Sequence, residues 1–248
     1  MAEETSALDI SSVSFAYTKT AKALDDVSFS VPRGRFTALL GPNGAGKSTL
    51  ISLVTRLLGQ TSGSIRIDSK NIEDSPGEAM SRLGIVFQQP TLDLDLSVTQ
   101  NLRYFAALHG MPRNLAEQRI DEELRRFNML ERRNEKVRRL NGGHRRRVEI
   151  ARALLHQPAF LLLDEPSVGL DIPTREKIVE HVHSLAQEEN IGVLWATHLI
   201  DEIMDEDDVV VLHQGKAIEK GPVPDILASS GLPSLGEAFN KLTGETGS

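Results

Sequence analysis

The chain has 248 residues, enough for one large α/β core with a small insert. Its formal charge of −7 makes no global case for nucleic acid as a partner. It contains no cysteine, which excludes disulfides, thiolate chemistry and cysteine-based zinc sites.

Residues 8–31 alternate apolar and polar side chains, with Ile10, Val13 and Phe15 and then Val27, Phe29 and Val31. They read as two strands joined through the loop Thr18–Lys22. Tyr17, just after the first, is either an ordinary strand-end aromatic or a flat face for stacking an adenine. Phe36–Leu40 is a short apolar strand. It runs into Gly41-Pro42-Asn43-Gly44-Ala45-Gly46-Lys47-Ser48, which fits G-x-x-x-x-G-K-[ST] at every required position. Ser48–Leu58 then has helical spacing and stops at Gly59. Strand, glycine loop and helix together are the context that makes this motif a phosphate site. Its glycines let successive backbone N–H groups curl round phosphate oxygens. The helix N-terminus adds partial positive charge at the same spot. Lys47 supplies a mobile ammonium, the Ser48 hydroxyl is a Mg²⁺ ligand, and Thr49 is counted with the nucleotide-binding residues.

Gly63–Asp68 reads as a strand after a turn, and Gly84–Pro90 as a strand that turns abruptly polar. Gln88 thus stands at a strand end, either as a neutral amide that binds Mg²⁺ or orients water, or as a plain loop residue. From Thr91 to about Leu140 the pattern is helical. Ser97-Val98-Thr99-Gln100 is a capping box opening a helix that ends at His109-Gly110. Asn114-Leu115-Ala116-Glu117 is expected to cap a second helix, with Ile120, Leu124 and Phe127 on one face. A basic run, Arg125, Arg126, Arg132, Arg133, Lys136, Arg138 and Arg139, reads as a solvated helix face interspersed with Glu131 and Glu135, or as a docking surface for an acidic partner.

Leu140-Asn141-Gly142-Gly143-His144 precedes a helix expected over Arg145–Leu155, and a diglycine at a helix start is a second anion site. Phe160–Pro166 is an apolar strand ending in Asp164, suited to a Mg²⁺ shell, and Glu165, placed beside it for an attacking water. Ser167–Asp171 makes a tight loop before a helix begun by Pro173. Ile191–Ala196 is the next buried strand, and His198 follows it in register with Asp164 and Gln88. An antiparallel pair turns at His213-Gln214-Gly215-Lys216. No run of about twenty apolar residues occurs, and Met1-Ala2-Glu3-Glu4 is no signal peptide. A soluble, cytoplasmic chain is expected, one that would serve a membrane only through a partner.

In order along residues 8–228, these stretches resemble the nucleotide-binding subunit of an ATP-binding-cassette (ABC) transporter. Tyr17 falls at the adenine-stacking aromatic, Gly41–Ser48 at Walker A, Gln88 at the Q-loop and Leu140–His144 at the signature. Leu161–Glu165 falls at Walker B, Gly169–Asp171 at the D-loop and His198 at the switch histidine. The signature departs from L-S-G-G-Q at Asn141 and His144; Asn141 keeps a donor through its amide, and the charge of His144 is left open.

The resemblance implies an α/β P-loop core with a mixed sheet, an antiparallel β subdomain and an inserted α-helical subdomain. Core would be 1–90 and 141–228, helical subdomain 91–140, and tail 229–248. It implies ATP and Mg²⁺ as cofactors, with Glu165, His198 and Gln88 catalytic and Ser48, Gln88 and Asp164 around the metal. It also implies head-to-tail pairing with a second copy or a paralogous cassette. Asn141, Gly142 and Gly143 would then cap the nucleotide on the partner's loop, and an integral membrane permease would be the driven partner. Ser234–Gly244 is similar to the short tail of cassettes serving ABC-2-type exporters, so an exporter ATPase at the inner face of the membrane is expected. Two other readings are an iron–sulfur assembly ATPase and a repair, chromosome or translation factor. The absence of sustained heptads and of a second cassette weighs against the last group.

Overall fold

A computed structural model describes residues 6–18, 21–59 and 62–244. Parts of the expected loop Thr18–Lys22 and of the tail, residues 19–20 and 245–248, lie outside these, as do residues 1–5.

The alternating N-terminal segments form β1 (Ser6–Thr18) and β2 (Ala21–Pro32), antiparallel, with Ile10 opposite Phe29 and Val13 opposite Val27. Tyr17 therefore lies inside β1, not after it. Next come β3 (Phe36–Leu40) and α1 (Lys47–Val54). The helix ends at Val54, short of the expected Leu58. Thr55 Oγ1 turns back to the Ile51 carbonyl at 2.8 Å, and Arg56 adopts φ 57, a left-handed conformation that a continuing helix excludes.

Short elements follow: β4 (Ser62–Ile67), β5 (Lys70–Asn71), α2 (Pro76–Met80) and β6 (Leu83–Val86). The strand expected over Gly84–Pro90 stops at Val86, so Gln88 stands in the loop beyond it.

The helical block opens with α3 (Val98–Leu108), closed at its start by the expected capping box: Ser97 Oγ accepts from Gln100 N and Gln100 Oε1 from Ser97 N. In α4 (Arg113–Arg126), Asn114 is not the cap. Pro112, in extended conformation with its fixed φ, starts the helix and leaves Asn114 within the first turn. Only Arg125 and Arg126 of the basic run lie on an α-helix, in the last turn of α4. Asn128 takes φ 55 after the helix, and residues 130–132 and 137–139 are single 3₁₀ turns. Arg132 meets Glu135 as expected, but Arg133 pairs with Asp121 at 2.7 Å, Arg138 with Asp95 and Arg126 with Glu189.

The signature helix α5 (Gly142–Leu154) begins at the diglycine, not at Arg145. After it come β7 (Phe160–Asp164), α6 (Ile172–Glu188, Pro173 in its first turn), β8 (Gly192–Thr197), the hairpin β9 (Asp208–His213) and β10 (Lys216–Pro222), and finally α7 (Val223–Ser230) and α8 (Leu235–Thr243).

Two sheets result, β2-β1-β4-β5 and β10-β9-β3-β8-β7-β6. The second is mixed: β9, β3, β8, β7 and β6 run parallel, and β10 is antiparallel to β9. Its central strands are apolar on both faces because both are covered. One face packs Phe36, Ala38 and Trp195 in the same core as Leu102, Ile120, Leu124 and Val148 of the helices. Each fully buried Leu, Ile or Val among them contributes about 1.5–3 kcal/mol. The other face packs Leu39, Leu162 and Leu194 with Leu50 of α1 and Ile10, Val27 and Ile65 of the antiparallel sheet. The tail helix α8 buries Ala238 and Phe239 on the helical side. The carboxyl ends of β3, β6, β7 and β8 thereby meet at one edge, where loops collect their functional groups.

Candidate functional site

At that edge lies a cavity of about 490 Å³, lined by Tyr17, Pro42, Asn43, Gly44, Gly46, Lys47, Ser48, Thr49, Gln88 and Glu165, with Lys22, Ala23, Gln214 and Gly215. The glycine loop is shaped by local necessity. Gly46, the N-cap of α1, takes φ 113, and a Cβ there would come within 2.9 Å of the Ala23 carbonyl. No side chain caps α1, so the first-turn N–H groups are left for an anion. Gly41 is excluded from bearing a side chain by packing: its Cβ would sit 2.4 Å from the Leu212 carbonyl.

Lys47 is 6% exposed and folds back onto the loop, donating to the carbonyls of Gly41 and, at 3.3 Å, Pro42. Burial pushes its ammonium down from the ordinary lysine range, and the charges of Glu165 and Asp164 partly restore it. Asp164 is pushed up, first by burial and then by the adjacent Glu165 carboxylate, against the pull of Lys47 and Arg146. Two neighbouring carboxylates with too little positive charge nearby suit a cation, and the Ser48 hydroxyl adds a hard oxygen donor of the kind Mg²⁺ takes.

Glu165 is held from both sides. Gln88 Nε2 donates to one carboxylate oxygen and His198 Nδ1 to the other, each at 3.2 Å. The backbone of Glu165 is pinned through its N–H to the Ala196 carbonyl at 2.9 Å, and it takes φ 43. The three side chains proposed from sequence to be catalytic thus come together although they lie 77 and 33 residues apart.

Tyr17 presents an exposed ring, oriented by an edge-on contact with Phe15 and a 3.1 Å hydrogen bond between its hydroxyl and Thr49. Tyr17→Ala should weaken ATP and GTP alike by about 1–3 kcal/mol, since stacking reads a π-face and not a base edge. Calorimetric titration checks this, and an unchanged Kd would leave Tyr17 an ordinary strand residue.

Asn141, Gly142 and Gly143 do not line this cavity. Asn141 caps α5, its Oδ1 accepting from His144 N at 2.8 Å, which leaves its amide NH₂ free to donate outward. Burial, then the charges of Arg132 and Arg147, push the His144 imidazole down from its ordinary range, against the pull of Glu135.

Sequence reasoning missed two supports. The Gln214–Gly215 turn, recognised only as a hairpin, braces the glycine loop: Gly215 N donates to the Ala45 carbonyl at 2.9 Å and its carbonyl accepts from Asp25 N at 2.8 Å. Turn residues at positive φ (47 and 76) were the only local signal. The second support is a buried pair on α5. Arg146 donates to the carbonyls of Phe87 (2.8 Å) and Gln88 (3.1 Å) and pairs with Glu149 at 2.9 Å, which accepts from Thr91 N. The signature helix thereby grips the loop that carries Gln88.

Residues 24–168 match the family model described as ABC transporter. The ABC transporter ATP-binding protein NatA of Bacillus subtilis is 33% identical over 223 residues, covering 89% of this chain and 90% of the relative. The linearmycin resistance ATP-binding protein LnrL of the same organism is 34% identical over 206 residues, covering 83% of this chain and 66% of the relative. A solved structure, that of the ATP-binding subunit of an ABC transporter, superposes with a TM-score of 0.83 at 30% identity, covering 95% of this chain and 98% of its own. With a phosphate loop, a braced glutamate and these likenesses in hand, the chain belongs to the ABC transporter family, as a subunit that binds and hydrolyses ATP.

Proposed function

We propose that Glu165 is the base that runs hydrolysis and that hydrolysis drives export through an integral membrane permease. The observation that carries the first part is the placement of Glu165 on the phosphate-loop cavity, its carboxylate fixed by Gln88 and His198. The triphosphate lies along Gly41–Thr49, with Lys47 turned from its carbonyl partners to the β- and γ-phosphates and the base on Tyr17. Ser48, Asp164 and the Gln88 amide oxygen would hold Mg²⁺, which would neutralise phosphate charge and polarise the terminal phosphoryl group. Glu165 orients a water and accepts its proton as the water oxygen bonds to the γ-phosphorus and the bond to the β-phosphate oxygen breaks. His198 holds Glu165 in line through its Nδ1.

The cavity is open on one side, and the outward amide of Asn141 with Gly142 and Gly143 suits a nucleotide on another chain. We read the working unit as two cassettes, identical or paralogous, paired head to tail. Residues 1–90 and 141–228 act as the catalytic core, 91–140 as the lever and 229–248 as a packed tail. Export is supported by likeness to a resistance ATP-binding protein. No helix among the described residues is long and apolar enough to cross a membrane, so attachment to the inner face would run through the permease.

The surface assigned to the permease is the leucine stretch before α3, Leu92, Leu94 and Leu96, and the leucines divide. Leu92 is buried, Leu96 half-buried, and Leu94 is 45% exposed. Leu92 is therefore core, whereas Leu94 is exposed, as are Tyr104 and Leu108 of α3 at 65% and 66%. Leu94→Asp or Tyr104→Asp should leave basal ATPase within about twofold, since surface changes of this kind stay near ±0.5 kcal/mol. Both should abolish sedimentation with native membranes. Full membrane binding in both variants would move the docking surface elsewhere.

A further inference from the structure

Four residues beyond His198, in the 3₁₀ turn Ile200–Glu202, a carboxylate is buried where the chemistry above makes no use of it. Glu202 is 1% exposed, and among the described residues no cation pairs with it. Three donors converge on it instead. Ser167 Oγ donates to one oxygen; Trp195 Nε1 (2.9 Å) and Thr197 Oγ1 (2.5 Å) donate to the other. Thr197 Oγ1 in turn accepts from Leu199 N at 3.0 Å, so the chain on both sides of His198 is tied to this one group.

The donors come from the loop after Glu165 and from the end of β8, the two segments that lead into the hydrolytic site. Ser167, itself fully buried, lies two residues after Glu165 in the loop that ends at Asp171. Thr197 is the last residue of β8 and directly precedes His198. A buried charge satisfied only by hydrogen bonds is intolerant of losing one, because the remaining charge has no water to replace it. The separation of the two segments is therefore set by Glu202. Val168 in the loop after Glu165 and Ile172 at the start of α6 are 43% and 62% exposed, next to the residue anchored at Glu202.

We propose that Glu202 is a positioning residue: it fixes His198 relative to Glu165 and transmits displacement of residues 167–171 to His198. This rests on the hydrolytic reading of Glu165 and His198. Neither Ser167 nor Thr197 lines the nucleotide cavity, so their removal should act on turnover and not on binding.

Trp195 supplies a direct readout. It is the only tryptophan of the chain, and its indole N–H is one of the three donors. The test is full-length protein carrying Ser167→Ala, Thr197→Val or Thr197→Ser, with ATP as the probe. Thr197→Val keeps the side-chain volume and removes the hydroxyl; Thr197→Ser keeps the hydroxyl. Ser167→Ala and Thr197→Val should each lower kcat at least tenfold with KM within twofold, and should abolish the ATP-dependent change in Trp195 emission. Thr197→Ser should restore both. Wild-type kcat in Ser167→Ala together with an intact emission response overturns the proposal, as does a Thr197→Ser variant no better than Thr197→Val. Wild-type turnover in Glu165→Gln would instead overturn the hydrolytic reading. A dead Glu165→Gln beside a normal Ser167→Ala would remove Glu202 alone.

Discussion

Replacing Glu165 with glutamine should cut ATP turnover by about 10²–10⁴-fold, the contribution of a positioned general base, while ATP still binds. The substitution keeps the length and shape of the side chain, so the cavity and the glycine loop are untouched. What changes is the pattern of donors and acceptors. Glu165 now accepts from Gln88 Nε2 on one oxygen and from His198 Nδ1 on the other. An amide at this position has one oxygen and one NH₂, so one of those partners faces a donor and must turn its own acceptor inward. The water loses its base in the same step. Phosphate release in the steady state reads the first effect, and calorimetric titration with ATP reads the second. The variant should also accumulate as a nucleotide-bound dimer by light scattering. Turnover within tenfold of the wild type would remove Glu165 from the role of base.

Lys47→Ala should fail in the opposite order, losing affinity first. A charge-assisted hydrogen bond to phosphate is worth about 1.5–3 kcal/mol, or about 10- to 150-fold in Kd. The ammonium is already buried against the loop, where it satisfies the Gly41 and Pro42 carbonyls. It therefore reaches phosphate without first shedding a full hydration shell, which places the expected loss toward the upper end of that range. Its removal also strips those two carbonyls of their donor. Calorimetry with ATP should show the weakened Kd even where turnover at saturating ATP survives in part. An unchanged Kd would contradict the placement of the triphosphate along Gly41–Thr49.

The parts of this site legible in the sequence are those that depend on neighbours in the chain. Gly41–Ser48 between an apolar strand and a helix, the Ser97–Gln100 capping box and the acidic end of β7 are all local patterns, and all three fold as read. The misreadings come from propensity without context. Arginine-rich residues 131–139 favour helix, yet their arginines are drawn to Asp95 and Asp121 in other segments, and the backbone turns instead. Contacts across long separations left no pattern to find. The Gly215 brace on Ala45 and the Arg146 grip on Phe87 both end on backbone carbonyls, and any residue at the receiving end offers the same carbonyl.

The left-handed backbone at Glu165 has a bearing on how such a chain evolves. A non-glycine residue at φ 43 raises the energy of the folded state by about 1–2 kcal/mol, a reservoir that glycine would empty at once. Selection for a robust fold and selection for work therefore pull on this position in opposite directions, and only use keeps the carboxylate there. A copy of this gene released from hydrolysis, as one member of a paralogous pair can be, has a downhill path at residue 165 and none comparable at Lys47, whose loss exposes its own loop. Decay of the enzyme into a stable, nucleotide-binding scaffold is built into the geometry of a single residue.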